Sequence, residues 1–340
     1  MDRIRCQVLR ALFQEETSIY RLIDRQDASL KEFIDLLDQL IAEDLIYTHK
    51  GQAGLTAAGL QYCRKHGLTL DLELQCSRCQ GTGLELSPFF ADILERFKDI
   101  IVDRPGAKKE FDQGFMSAQG VLQRLAFVFE RGDIHGNIFV VGDDDFFSIA
   151  AALTKLPSKI VAVDVDPQVV DLINQTARDL DLSLEGRLYD VQQDLPRELQ
   201  NSFHMFLTDP VETLSGLELF LSRGVSALQG PGSTGYFGLS TLEASRNKWL
   251  NLQGKLQQMG FVVTDIRRKF SVYPEDEKNF IKFQEHLPIV QHLGATIDYD
   301  WYKSSLYRIE AVHSPQPLVQ GQRNLEEQVY KDHESLATPF

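Results

Sequence analysis

NIFVVGDDDFFSIAAALTKLPSKIVAVDVDP, residues 137–167, holds two apolar runs of the same character. Ile138–Val141 stops at Gly142 and three aspartates, Asp143, Asp144 and Asp145. Ile160–Val163 stops at Asp164 and Asp166. Between the runs, Phe146, Ile149, Ala150 and Leu153 recur at helical spacing. The order is strand, tight turn, helix, strand, with acids at the carboxyl ends of both strands. Open parallel sheets bind ligands along that edge. An acid after the second strand commonly accepts from a ribose hydroxyl, and Asp164 is the candidate. The first turn is unusual, because Gly142 stands where two or three glycines normally let backbone approach a nucleotide. Three adjacent carboxylates repel wherever water is excluded. They are tolerable with a cation among them.

Outward from this unit the chain continues in the same alternation. Residues 168–180 read as a helix, and 186–189 as a third strand ending at Asp190. A fourth strand, 203–208, is followed by Asp209-Pro210-Val211-Glu212-Thr213. Helix 214–228, strand 234–239, a long helix 242–259 and strand 261–270 come next, and strand 306–312 closes a hairpin with 261–270. The fold class is α/β, a seven-stranded methyltransferase-like (Rossmann-type) sheet. In that sheet Asp164 takes the ribose, Asp190 the adenine amino group, and Asp209 faces the reacting centre. Before the sheet, 118–130 reads as a helix with Val121, Leu122, Leu125 and Phe129 inward. Asp112 and Gln113 precede it, where a chain reaches over the site. The long stretch 271–302, with Tyr273, Glu275 and Asp276, reads as a lid or substrate loop.

Residues 1–67 read as a separate helical domain in winged helix-turn-helix order. Its third helix, capped by Ser29, has Leu30, Phe33, Ile34, Leu37, Leu40 and Ile41 on its inner face. Its outer face carries Lys31 against Glu32, Asp35 and Asp38. The domain holds 9 basic and 10 acidic residues, too few positive charges to neutralise phosphates. A protein-contact role, in an expected homodimer, fits better than DNA binding. Residues 68–110 read as a connector containing Cys76 and Cys79 in CSRCQGTG. One CxxC supplies two ligands, and closed structural zinc has four. Cys63 and His66 would complete the set, while a thiol pair or a half-site shared with a partner chain stays open. Residues 314–340 are polar and proline-dotted, and are expected to be mobile.

The net charge of −14 disfavours nucleic acid and suits cationic partners. No apolar run reaches the length of a membrane span. Four cysteines and an N-terminus lacking a signal-peptide core lead to an expected cytoplasmic location.

The aspartate turn discriminates between nucleoside ligands. S-adenosylmethionine ends in a carboxylate, which Asp143–Asp145 would repel. Its decarboxylated form keeps an ammonium and no carboxylate. Asp166, Asp209, Glu212 and the acids of 275–277 extend the same charge, a pocket for a polyamine. GDDD at 142–145, VDVDP at 163–167 and DPVET at 209–213 resemble the branched-chain polyamine synthases, the N(4)-bis(aminopropyl)spermidine synthases. The resemblance runs from the N-terminal domain to the last strand. It implies aminopropyl transfer from decarboxylated S-adenosylmethionine to spermidine, with no further cofactor. It also implies that Asp145 accepts a proton, with Asp143, Asp144 and Asp209 beside it. Gly142, Asp164, Asp166, Asp190 and Gln113 then hold the donor, and Asp112, Glu212, Tyr273, Glu275 and Asp276 the amine. The family often has tyrosine where this chain has Phe111, so a hydroxyl contact is missing there. Two other readings compete: an S-adenosylmethionine-dependent methyltransferase with the N-terminal domain as reader, and a ligand-sensing regulator.

Overall fold

The structure, a computed structural model, describes residues 2–72, 76, 79, 81–274, 278–279, 287–325 and 329–337. The N-terminal unit comprises α1 (Arg3–Gln14), β1 (Thr17–Ser18), α2 (Ile19–Asp24), α3 (Leu30–Ala42), β2 (Ile46–His49), β3 (Gln52–Leu55) and α4 (Ala57–His66). Ser29 and Glu32 form a reciprocal capping box at the start of α3. Thr56 caps α4 by accepting from the Gly59 N–H, and Gly67 ends it in the left-handed region. The strands form a small antiparallel sheet in the order β1-β3-β2. Leu30, Phe33, Leu37 and Leu40 bury into one core with Val8, Leu12 and Ile23. Ile41, expected on that face, is 42% exposed, because Leu40 already fills the stripe at the last turn.

This unit is docked on the rest of the chain. Its core continues into Leu242, Ile289, Ile297 and Trp301. Asp24 lies 3.0 Å from Lys269 and 2.7 Å from Lys303. Asp27 gathers Arg3, Arg268 and Arg246 at 2.5, 3.3 and 3.5 Å.

The 68–110 stretch is not all connector. Its second half forms α5 (Pro88–Ile101), entered by a proline in the first turn. Phe90, Ile93, Leu94 and Phe97 of α5 are buried with α6 (Ala118–Glu130) and α7 (Phe147–Leu153) in one core. Helix α6 spans the expected residues, but Phe129 is 44% exposed, its ring meeting Phe90 edge-on.

The main sheet comprises β4 (Asn137–Val141), β5 (Lys159–Asp164), β6 (Leu184–Leu188), β7 (Met205–Thr208), β8 (Thr234–Leu239), β9 (Phe261–Val272) and β10 (Lys303–Ala311). Its order is β6-β5-β4-β7-β8-β10-β9. The first five are parallel, and β10 inserts antiparallel between β8 and β9. Helices cover both faces: α8 (Pro167–Asp179), α9 (Leu214–Ala227) and α10 (Arg246–Gln258), besides α6 and α7. That is why Ile138–Val141 and Ile160–Val163 are apolar without alternation. The closing hairpin is present, separated by the short α11 (Pro288–Leu293) and residues outside the described ones.

Two further expectations change. The long helix starts at Arg246, not Leu242, because Ser245 caps it by accepting from the Lys248 N–H at 3.2 Å. Residues 240–245 are therefore loop. The described residues of the tail, 314–325 and 329–337, are fastened, not mobile. Arg223 of α9 donates to the Val319 and Gly321 carbonyls, at 3.4 and 2.8 Å. Thr213 donates to the Val329 carbonyl at 2.6 Å, and Lys248 meets Asp332 at 2.9 Å. Composition misleads here because the tail's polar atoms are used as partners for helix side chains. Among the described residues, no helix is long and apolar enough to cross a membrane.

Candidate active site

Register brings the strand ends together. Val141 pairs with Val163 on β5 and with Thr208 on β7. The residues that follow, Gly142, Asp164 and Asp209, come level at the carboxyl edge. Strand order reverses at β4, and there the crevice opens. Gly142 turns the chain at φ +72°, a conformation glycine adopts without strain. The Asp164 carboxylate is fixed by the backbone N–H groups of Asp143 and Asp166, each at 2.8 Å. Burial still raises its pKa. Asp164 lines the crevice with Asp190, Val165 and Phe220.

The three aspartates part company. Asp143 turns inward and accepts from the Ser148 N–H at 3.3 Å, off the pocket wall. Asp144 lines the pocket, and its carbonyl accepts from Arg104. Asp145 is 5% exposed and accepts from the Met116 N–H at 2.6 Å. Burial, and then the Asp209 charge and a hydrogen bond with Asp209, push Asp145 up to about 7, against the pull of Arg124. Asp209 is gripped by the Arg124 fork at 2.7 and 3.2 Å. It lies over Gly238, where a Cβ would come within 2.0 Å of its Oδ1.

The same pocket has a second group of acids, its carboxyl chamber. Asp112, Glu212, Glu243 and Tyr302 line it, with Tyr330 and Ala337 from the tail. Glu212 accepts from the Ser240 N–H through Oε1, while Oε2 is buried without a partner among the described residues. Glu243 accepts from the Ala337 N–H at 2.8 Å and from the Tyr302 hydroxyl at 3.3 Å. Burial pushes Glu243 up to about 7. Burial, then the Glu243 charge, holds Asp112 and Glu212 well above the carboxylate range. Raised values are what clustered carboxyls show without a counter-cation, and ammonium groups would return them to the charged form. The cavity, about 1310 Å³ including its open mouth, has seven carboxyl side chains and one amine, Lys109, on its wall among the described residues. Its chemistry is that of a cation site.

The remaining expected residues divide. Gln113 lines the pocket and donates to Asp166 at 3.3 Å. Asp166 is fully buried off the wall, paired with Lys108 at 2.7 Å and capping α8 through the Gln168 N–H. It clamps the 108–113 loop and does not reach into the crevice. Tyr273 lines the pocket near Asp209. Glu275 and Asp276 lie outside the described residues. The four-ligand metal set is not assembled. Cys63 is fully buried, its thiol 3.8 Å from the Leu9 carbonyl, and His66 packs on Tyr62. Among the described residues, no three His, Cys, Asp or Glu side chains are grouped to hold a metal. Cys79 accepts from the Gly83 N–H at 3.4 Å, and Cys76 is exposed.

Two site residues escaped the sequence reading. Glu243 was hidden by placing 242–245 inside a helix, and Ser245 as a cap would have exposed it. Arg124 sits on the apolar stripe of α6, where a charged residue on a buried face is itself the signal.

Strand-end acids suited to a nucleoside, opening into a carboxyl-lined chamber, define a Rossmann-like transferase working between a nucleoside donor and a cationic acceptor. Comparison with known proteins agrees. Residues 92–337 match the branched-chain polyamine synthase A C-terminal domain. The N(4)-bis(aminopropyl)spermidine synthase of Thermococcus kodakarensis is 31% identical over 338 residues, covering 97% of this chain and 93% of that protein. Its Methanocaldococcus jannaschii counterpart is 33% identical over 326 residues, covering 94% and 90%. The crystal structure of the Thermus thermophilus branched-chain polyamine synthase, in complex with N4-aminopropylspermidine and 5'-methylthioadenosine, superposes with a TM-score of 0.85. It is 29% identical, with 98% of this chain and 93% of that chain covered. The chain belongs to the branched-chain polyamine synthase family.

Proposed function

We propose that this chain transfers aminopropyl groups from decarboxylated S-adenosylmethionine to the N(4) secondary amine of spermidine, releasing methylthioadenosine. The observation that carries this reading is the single cavity joining Asp164 and Asp190 to the chamber of Asp112, Glu212 and Glu243. Intact S-adenosylmethionine would set its own carboxylate against Asp144 and Asp209. The decarboxylated donor has none, and its sulfonium is its own leaving group.

Asp164 and Asp190 hold the nucleoside, with Gly142 and Gln113 closing around it. Asp112, Glu212 and Glu243 receive the ammonium ends of the amine, which places N(4) in line with the reacting carbon. Amines of this kind are mostly protonated at neutral pH. The fraction with a neutral N(4) attacks through its lone pair, and Asp145, beside Asp209, takes the remaining N–H proton as the nitrogen–carbon bond forms and the carbon–sulfur bond breaks. A second transfer starts from a tertiary amine and ends as a quaternary ammonium with no proton to lose.

The N-terminal unit has the helix and strand order of a winged helix, and we assign it to protein contact within a cytoplasmic homodimer. Lys31, Glu32, Asp35 and Asp38 are all exposed on α3, and the Leu30 N–H donates to the Leu242 carbonyl at 2.7 Å. The acidic face and the docked helix both disfavour nucleic acid. A structural zinc at Cys76 and Cys79 requires two further ligands, so metal content at one ion per two chains would mark a shared site.

The test is incubation of purified protein with spermidine and either donor, read by mass spectrometry. Aminopropylated spermidine appearing only with the decarboxylated donor is expected. Methylated product from the intact donor would overturn the reading.

A further inference from the structure

A buried arginine lies behind the wall of a pocket that collects carboxyls, bonded to the wall residue Asp209. The Arg124 side chain is 1% exposed. It spans Asp209 with two bonds, donates to the Ser271 hydroxyl at 2.9 Å, and lies 3.8 Å from Asp145. Its Nε has no partner among the described residues. Packing does not call for it, since Val121, Leu122, Leu125 and Val128 already anchor α6 and an apolar side chain of similar size is often as stabilising as a buried ion pair.

We propose that Arg124 is a positioning residue for aminopropyl transfer: its fork holds Asp209 in place beside Asp145 and sets one positive charge against the two carboxyls, so that the pair has room for one proton. The proposal rests on Asp145 being the base. Two touching carboxyls without a cation share a proton and are half spent before the reaction begins. With Arg124 the pair and the guanidinium together carry one negative charge. The amine nitrogen bonds to the aminopropyl carbon, the sulfur leaves with its bonding pair as a neutral thioether, and the nitrogen's proton moves to Asp145. The three groups then sum to zero, while substrate and product carry the remaining charge.

The other groups around the pair are mostly acidic or neutral. Asp143 and Asp144 belong to the same turn, Asp164 stands on β5, and Tyr273 follows β9. Arg104, after α5, is the further cation acting on this turn, and it is bonded to the Asp144 carbonyl. Arg124 is therefore the cation in direct contact with Asp209.

The experiment measures single-turnover rates of the first transfer across pH for the parent, Arg124→Met, Arg124→Lys and Arg124→Met/Asp209→Asn, with melting temperatures alongside. Arg124→Met should lose about a hundredfold in rate, with its acid limb moved up by about one pH unit. Arg124→Lys should keep the parent limb at a reduced maximum, since it preserves charge but not the fork. Adding Asp209→Asn to Arg124→Met should bring the limb back down. A rate loss with an unmoved limb in both single variants would overturn the proposal, as would a double variant whose limb stays high. Should Arg124→Met fail to fold, Arg124→Gln, which keeps a donor towards Asp209 without the charge, takes its place: its limb should move up relative to Arg124→Lys, and an unmoved limb there overturns the proposal. Failure of the underlying reading looks different: Asp145→Asn would then keep the parent rate and limb.

Discussion

Asp145→Asn removes one charge and preserves shape, so it separates catalysis from folding. In the folded chain Asp145 takes up its proton at about 7, against about 3.9 for an unperturbed aspartate. A gap of roughly 3 units is worth about 4 kcal/mol. The cost to the folded state is absent below the unfolded value, grows between about pH 4 and 7, and is complete above 7. The variant should therefore match the parent near pH 4 and exceed it by up to about 4 kcal/mol at pH 8. The Met116 N–H keeps an acceptor in the asparagine oxygen. Activity should move the opposite way, the first transfer falling by about 10²–10⁴-fold as expected for loss of a general base. With N4-aminopropylspermidine as acceptor the loss should be smaller, because that step sheds no proton in forming the new bond. The assays are single-turnover transfer with each acceptor and urea melts at pH 5 and 8. A first-transfer rate within about threefold of the parent would refute the role of Asp145. A variant no more stable at pH 8 would refute the electrostatic picture of the turn.

Glu243→Gln should raise KM for spermidine by about 10–100-fold, the worth of a charge-assisted hydrogen bond, and leave methylthioadenosine affinity unchanged by calorimetry. Gly238→Ala places a Cβ 2.0 Å from Asp209 Oδ1, so kcat should fall while circular dichroism stays that of the parent. Asp24 is held below the ordinary carboxylate range because Lys269 and then Lys303 outweigh the burial that would raise it. Asp24→Ala leaves Lys269 its bond to the residue-24 carbonyl and Lys303 its bond to the Tyr299 hydroxyl, but removes the carboxylate both share, and should cost about 3–5 kcal/mol in denaturant melts at pH 7. That difference should hold down to about pH 4, the unfolded value, and shrink as the pH falls below it towards the lowered folded value, where the parent loses the same contribution.

Much of the site was legible because its parts are local. A strand ending in an acid announces itself, and Asp164, Asp190 and Asp209 followed from counting strands. The acidic turn signalled a cationic ligand through charge repulsion alone. The chemistry within GDDD was not legible. Three adjacent aspartates look alike in sequence, yet one accepts from the Ser148 N–H in the first turn of α7, one lines the pocket and one pairs with Asp209. Direction of side chain depends on how the turn leaves β4, which no spacing reveals.

The sequence by itself determined the α/β alternation, the closing hairpin, the N-terminal helical unit and the sign of the pocket. These follow from periodicity and charge, which are properties of short segments. Only the tertiary structure decided that Glu243 is a loop residue facing the chamber, that Asp166 clamps a loop instead of the donor, and that Arg124 grips Asp209 from another element. It also decided that residues 314–325 and 329–337 are fastened against α9 and α10. Each of these depends on partners far away in the chain: Glu243 meets Ala337, and Arg124 meets Asp209 and Ser271. Such contacts are set when the sheet and its helices pack, and the residues that make them carry no local mark of their partners.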